Sequence, residues 1–356
     1  MTTLLFILVL LVLVLVHEFG HFIIAKVAGI RVEEFGVGLP PRVFGRTWRG
    51  TLWSINWIPL GGFVRIFGED DTGEVTPDSF NSKPLLVRIG VVVAGIVCNI
   101  LLAYFFVAFA LLSGLRVPTD VFPNTPHQEL RLIITGVVDN SVAANASVLV
   151  GAQIISLSSD NGRIEPTSPE VVQKFVAENK DREIVLRVNV APDYKEEQSY
   201  SLTPTPLLGI EMAEVGLVKL SLLDAFIFAL PHTFELTSST LTGLIDLAVR
   251  ALQGESTLQY LSGPVGIAGV IGEASHLGLG PLLYIIALIS LSLAVINLVP
   301  LPALDGGKIL FMLIEHFRKR PLPKSFVQIT QVLSFALLII FLIFITYHDI
   351  YIKNAI

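Results

Sequence analysis

Cysteine is almost missing from this 356-residue chain: Cys98 is its single example, and it sits in an apolar run. One thiol closes no internal disulfide and builds no thiolate cluster, so any metal must be held by histidine and carboxylate. Charge is scarce as well, 15% of residues against 53% hydrophobic, and the mean hydropathy of +0.71 excludes an ordinary soluble enzyme. The formal net charge is −6 and no Lys/Arg-rich block occurs, so the concentrated cationic face that nucleic-acid binding requires is lacking and no nucleic-acid partner is expected. No internal repeat or low-complexity tract is visible. The composition points to a protein whose solvent is the lipid bilayer.

A hydrocarbon core of about 30 Å takes about 20 apolar helical residues. Residues 89–115, 277–304 and 325–347 contain no Asp, Glu, Lys, Arg or His, and with an N-terminal run from 4 to 25 they predict an α-helical polytopic membrane protein of four spans. The N-terminal run has neither a basic leader nor a small-residue cleavage site after Val16, so it is expected to be kept rather than removed as a signal peptide. Lys and Arg are more frequent in 26–88 and 308–324 than in 116–281, which places those two loops in the cytoplasm and both termini outside. Residues 117–206 alternate β-rich runs, such as 132–134 and 184–188, with one helical stretch at 169–178, the pattern of a small extracytoplasmic α+β domain. From 220 to 252 apolar residues recur at helical spacing, but Asp224, Glu235, Asp246 and Arg250 interrupt them and Pro231 breaks the run. Two amphipathic helices on the membrane surface are expected there, with a fifth span as the alternative. The Gly and Pro residues at 263, 264, 266 and 269 read as a turn or hinge ahead of the third span.

The first span is apolar yet ionisable. His17-Glu18-Phe19-Gly20-His21 is an H-E-x-x-H sequence, and on a helix its two imidazoles, four positions apart, point to one side and can bind one zinc ion. Glu18 adjoins that face and is placed to take a proton from water and deliver it to a leaving amine. Five-residue matches arise by chance, and two satisfied core histidines are the alternative. The position argues otherwise, because each ionisable group in a span costs on the order of 2.5–3.5 kcal/mol and needs compensation. A catalytic zinc takes a third protein ligand, and Asp305 is the best candidate. It closes the third span in the run 297–307 (N-L-V-P-L-P-A-L-D-G-G), where two prolines and two glycines free the backbone to bend around a site; the alternative is a plain Asp-Gly turn. His17 and His21 lie about 20–27 Å along the first span at 1.5 Å per residue, toward the cytoplasmic leaflet. Asp305 reaches that depth only if an even number of crossings separates the two motifs. Residues 51–58 and 63–67 flank Pro59-Leu60-Gly61-Gly62 as a hairpin. It serves either to pair with an extended substrate strand or to anchor the loop at the interface through Trp53 and Trp57.

These motifs, with 58–65 (I-P-L-G-G-F-V-R), 263–268 (G-P-V-G-I-A) and the N-x-x-P…L-D-G run ending at Gly306, resemble the site-2 proteases of the RseP type, bacterial zinc intramembrane metalloproteases of peptidase family M50. The similarity runs over nearly the whole chain. It implies Zn2+ bound by His17, His21 and Asp305, Glu18 as catalytic base, and a membrane-associated β-hairpin after the first span. By the same resemblance Asn297 lies near the active site and holds the substrate backbone or the developing oxyanion, and Gly61, Gly62 and Phe63 of the hairpin are the further candidate substrate contacts. Residues 140–144 and 149–157 resemble a PDZ domain, a module that binds extended peptides by strand addition or acts here as a cap excluding bulky substrates. The implied organisation is a membrane core at 1–115 with the hairpin loop at 31–68, a PDZ-like domain at 116–208, amphipathic surface helices at 209–262 and a second membrane core at 263–356. Two departures stand out. The family's G-P-x-x-N is here Gly95-Ile96-Val97-Cys98-Asn99, without the proline, and the extracytoplasmic stretch has room for one PDZ-like domain where many relatives carry two. The implied activity is intramembrane cleavage of single-pass transmembrane proteins, such as anti-sigma factors or remnant signal peptides, in the inner membrane. The rival readings are a non-catalytic PDZ-bearing receptor or scaffold and a metal transporter.

Overall fold

A computed structural model describes residues 2–69, 76–122, 125–190, 195–204 and 207–351. They pack as two compact units, one made of 1–109, 223–275 and 282–356, the other of 110–222 with 276–281.

The first unit holds helices α1 (Thr2–Val27) and α2 (Leu85–Ser113), with strands β1 (Val32–Trp48) and β2 (Thr51–Ile66) between them. Among the described residues four helices are long and apolar enough to cross a membrane: α1, α2, Leu279–Asn297 and Lys324–Tyr351. A helix satisfies every backbone group internally, which is why an apolar run in lipid takes this form. The third of them is shorter than the uncharged run 277–304. It stops at Asn297 because Pro300 and Pro302 cannot donate to a continuing helix, and the chain turns irregularly before a new helix starts at Asp305. Asp305 thus opens a helix instead of closing a span.

β1 and β2 each bend, so that the two-stranded sheet has four pairing segments in the order 42–48, 51–56, 32–37, 62–66. Residues 34–37 pair on one side with 62–65 and on the other with 52–55, which leaves 62–66 as an outer segment. Val32, Ile30 and Ile66 pack with Ala25, Phe80, Val91, Val92 and Met312, seating the sheet against α1 and α2.

The second unit is a β-rich domain with strands β3 (Leu115–Pro118), β4 (Gln128–Val137), β5 (Gln153–Ser159), β6 (Gly162–Ile164), β7 (Ile184–Val190), β8 (Glu196–Leu202) and β9 (Ile210–Val218). The sheet order is β3-β9-β4-β5-β7-β8, with β6 on β5. Short helix α3 (Val142–Asn145), capped by Ser141 Oγ on Ala144 N, and α4 (Pro169–Glu178) complete it. Leu132, Ile134, Leu157, Val172, Phe175, Leu186 and Leu202 form the core. Two boundaries differ from the sequence reading. Leu115, expected in the second span, is a strand residue, and Ile210–Val218, expected among surface helices, is β9, paired with both β4 and β3.

The remaining helices are α5 (Leu222–Leu252), α6 (Pro264–Leu277), α7 (Leu279–Asn297), α8 (Asp305–Arg318) and α9 (Lys324–Tyr351). α5 is one helix of 31 residues and not two, with Pro231 inside it. Proline removes one backbone donor without ending the helix; on either side of it Tyr104 Oη of α2 donates to the Phe226 carbonyl at 3.1 Å, and His232 Nε2 lies 2.9 Å from Tyr284 Oη of α7. The stretch read as a turn or hinge is α6. Pro264 suits a first helical position, and the buried Asp349 carboxylate of α9 accepts from Gly266 N at 2.8 Å, satisfying a first-turn amide.

Candidate metal centre

His17 and His21 occupy successive turns of α1, both buried, with ring centroids 4.7 Å apart and planes at 86°. Asp305, the first residue of α8, is buried beside them. Its Oδ2 lies 2.9 Å from His17 Nε2 and 3.3 Å from His21 Nε2, and the two Nε2 atoms are 3.1 Å apart. A tetrahedral zinc with bonds of about 2.0 Å sets its ligand atoms about 3.3 Å apart. One face of that tetrahedron therefore matches this triangle, and the donor set of two imidazoles and one carboxylate fits the ion.

Asp305 arrives here through close backbone packing. A Cβ on Gly306 would stand 2.3 Å from the Leu298 carbonyl oxygen, and one on Gly307 2.1 Å from that of Leu301. Only glycine lets the first turn of α8 press onto the irregular segment after α7. One turn further, Lys308 Nζ bonds Glu69 Oε1 at 2.7 Å and ties α8 to the chain following β2.

The outer ring nitrogens both face α2. His21 Nδ1 lies 2.9 Å from the Val91 carbonyl, so the ring proton sits on Nδ1 and Nε2 presents its lone pair. His17 Nδ1 faces the side-chain amide of Asn99 at 3.4 Å. Between those two contacts is Gly95, where a Cβ would fall 2.6 Å from His21 Cε1 and Nε2 and 2.8 Å from His17 Cε1. Gly95→Val is accordingly expected to displace one imidazole and lose most of the bound zinc, read by elemental analysis of the purified protein. Full zinc content in that variant would mean that the rings are not held against α2.

Glu18 projects from the same helix, and its Oε2 accepts a hydrogen bond from Val64 N in the outer segment of β2 at 3.1 Å. Gly62 is also close: a Cβ there would be 3.9 Å from Glu18 Cγ and 2.9 Å from Leu15 Cδ2. Gly61 has φ of 100° and borders Val14. The ring of Phe63 instead lies over Gly36 of the neighbouring segment. Asn297 is the last residue of α7, half-buried, at the start of the turn that leads to Asp305. The structure thus brings together His17, Glu18, His21, Asp305 and Gly62. Sequence reasoning picked out Gly95 only within the stretch that matches G-P-x-x-N, not as a neighbour of the imidazoles, and it missed the two backbone partners, Val64 N and Val91 O; main-chain groups leave no residue-type signal.

Two histidines on an apolar helix, an aspartate brought to them and a carboxylate alongside are the equipment of a metallohydrolase. The pattern of peptidase family M50 matches residues 5–341, and the chain belongs to that family. It is 32% identical to a protein of Clostridium perfringens over 349 residues, 95% of each chain. It is 32% identical to one of Fusobacterium nucleatum over 322 residues, 88% of each. It is 28% identical to one of Agrobacterium fabrum over 373 residues, 97% of this chain and 94% of the other. All three carry the name "putative zinc metalloprotease". These names agree with Zn2+ as the cofactor.

Proposed function

We propose that this protein is an intramembrane zinc endopeptidase that hydrolyses peptide bonds of single-pass transmembrane proteins near the cytoplasmic leaflet. The observation that carries the reading is the buried triangle of His17, His21 and Asp305 with Glu18 beside it, the two histidines and Glu18 standing on a helix apolar and long enough to span a bilayer. Zinc held by the three side chains supplies Lewis acidity toward water and toward the scissile carbonyl. Glu18 takes the proton of the attacking water and passes it to the leaving amine. Val64 N fixes one oxygen of that carboxylate, leaving the other to do so.

A transmembrane helix hides its carbonyls, and once unwound it needs new partners where water is scarce. The outer segment 62–66 offers strand pairing next to Glu18, so an extended substrate laid along it has its scissile bond carried to the base. Gly61, Gly62, Phe63 and Asn297 are the residues assigned to substrate. The β-rich unit, with its PDZ-like sequence, acts as a cap or peptide reader outside the membrane. On this reading the protein lies in the inner membrane with both termini outside. A membrane-anchored anti-sigma factor already trimmed outside, or a remnant signal peptide, suits such a site.

The test is detergent-purified protein incubated with a tagged model transmembrane substrate. Cleavage that disappears with a zinc chelator and returns with added zinc supports the proposal. Metal flux across sealed vesicles without peptide products would replace it with transport.

A further inference from the structure

We infer that Asn99 is a positioning residue: its amide oxygen takes the Nδ1 proton of His17 and thereby turns the Nε2 lone pair of that ring toward the metal. The inference rests on the assignment of His17 as a ligand and adds a residue of α2 to the site.

Asn99 is completely buried in an apolar helix, where a primary amide persists only if something engages it. Its main-chain carbonyl accepts from Ser290 Oγ of α7 at 2.8 Å, which pins the residue between α2 and α7. Its side chain meets His17: Nδ2 is the terminal atom nearest Nδ1, at 3.4 Å, while Oδ1 has no hydrogen-bond partner. The two terminal atoms are alike in size, and a half-turn about the Cβ–Cγ bond exchanges them. The chemistry chooses between the two orientations. His17 Nε2 is one corner of the donor triangle, and a ring nitrogen binds a cation only through its lone pair, so the single ring proton must sit on Nδ1. A proton on Nδ1 needs an acceptor, and of the amide's two ends only Oδ1 is one. His21 follows the same rule one turn on, with the Val91 carbonyl as its acceptor. α2 therefore holds both imidazoles by their outer nitrogens, one through its main chain and the other through a side chain. Outer partners of this kind are worth about 10–100-fold in metal affinity.

The experiment measures zinc affinity of the full-length, detergent-solubilised protein by competition with a chromogenic chelator, and the visible absorption of the cobalt-substituted form. Asn99→Leu, similar in size but without an acceptor, is expected to weaken zinc binding about 10–100-fold and to alter the cobalt bands. Asn99→Asp keeps an acceptor and should bind zinc within about threefold of the parent, since a carboxylate serves such a histidine equally well. Asn99→Ala gives the same comparison without added bulk if the Leu variant does not fold. His17→Ala is the control for the underlying assignment. Parental affinity in the Leu or Ala variant, with loss in His17→Ala, overturns the role of Asn99 and leaves the metal centre standing. Equal loss in Asp and Leu variants also overturns it, because packing rather than proton acceptance would then be at work. Parental affinity in His17→Ala removes the metal centre itself.

Discussion

Glu18→Gln protein should purify with its full zinc complement and cleave a transmembrane substrate about 10²–10⁴-fold more slowly than the parent. The substitution changes one thing. Glutamine keeps the length of the side chain and an oxygen that can still accept from Val64 N, so the geometry seen at 3.1 Å is preserved. It cannot take a proton from water. The proposed ligands His17, His21 and Asp305 are untouched, which is why metal content and rate are expected to separate. Parental cleavage by the Gln variant would falsify the assignment of Glu18 as base, and loss of zinc would show that its carboxylate belongs to the ligand set.

Asp305→Ala should behave in the opposite way. Removing one corner of a triangle whose sides are 2.9, 3.1 and 3.3 Å leaves two imidazoles to hold the ion. Zinc affinity is expected to fall by more than the about 100-fold upper range for loss of an outer partner, measured by the same chelator competition. Cleavage falls with it, but raising the free zinc concentration should restore part of the rate, whereas no zinc concentration restores the Glu18→Gln enzyme. A variant that binds zinc like the parent would place the third ligand elsewhere.

The parts of this molecule that could be read from sequence are those whose cause is local. Apolar runs long enough for a bilayer locate α1, α2, α7 and α9, and the four-residue spacing of His17 and His21 puts both rings on one side of α1. Pro300 and Pro302 announce a loosened backbone, though not that α7 ends at Asn297 and that Asp305 begins another helix. What escaped depends on distant partners. β9 contains Glu211, Glu214 and Gly216 and lacks a clean alternation; it is a strand because β4 and β3 flank it. Pro231 reads as a break, yet α5 runs through it while Tyr104 and Tyr284 on other helices contact the residues around it. The glycines of α6 look like a hinge until Asp349, 83 positions away, supplies an acceptor for Gly266 N. In the candidate site the three metal donors have a residue-type signature. The amide of Val64 and the carbonyl of Val91 have none, since every residue carries those groups.

The pairing of β3 with β9 has an evolutionary corollary. Leu115 faces Val218 and Pro118 faces Val215, so the polypeptide departs and comes back through adjacent antiparallel strands. Such a bracket makes everything between its arms an insert whose two ends stay side by side. Joining Pro118 to Val215 through a two-residue turn closes the bracket as a hairpin, and a minimal protease of that design retains every residue assigned to the metal.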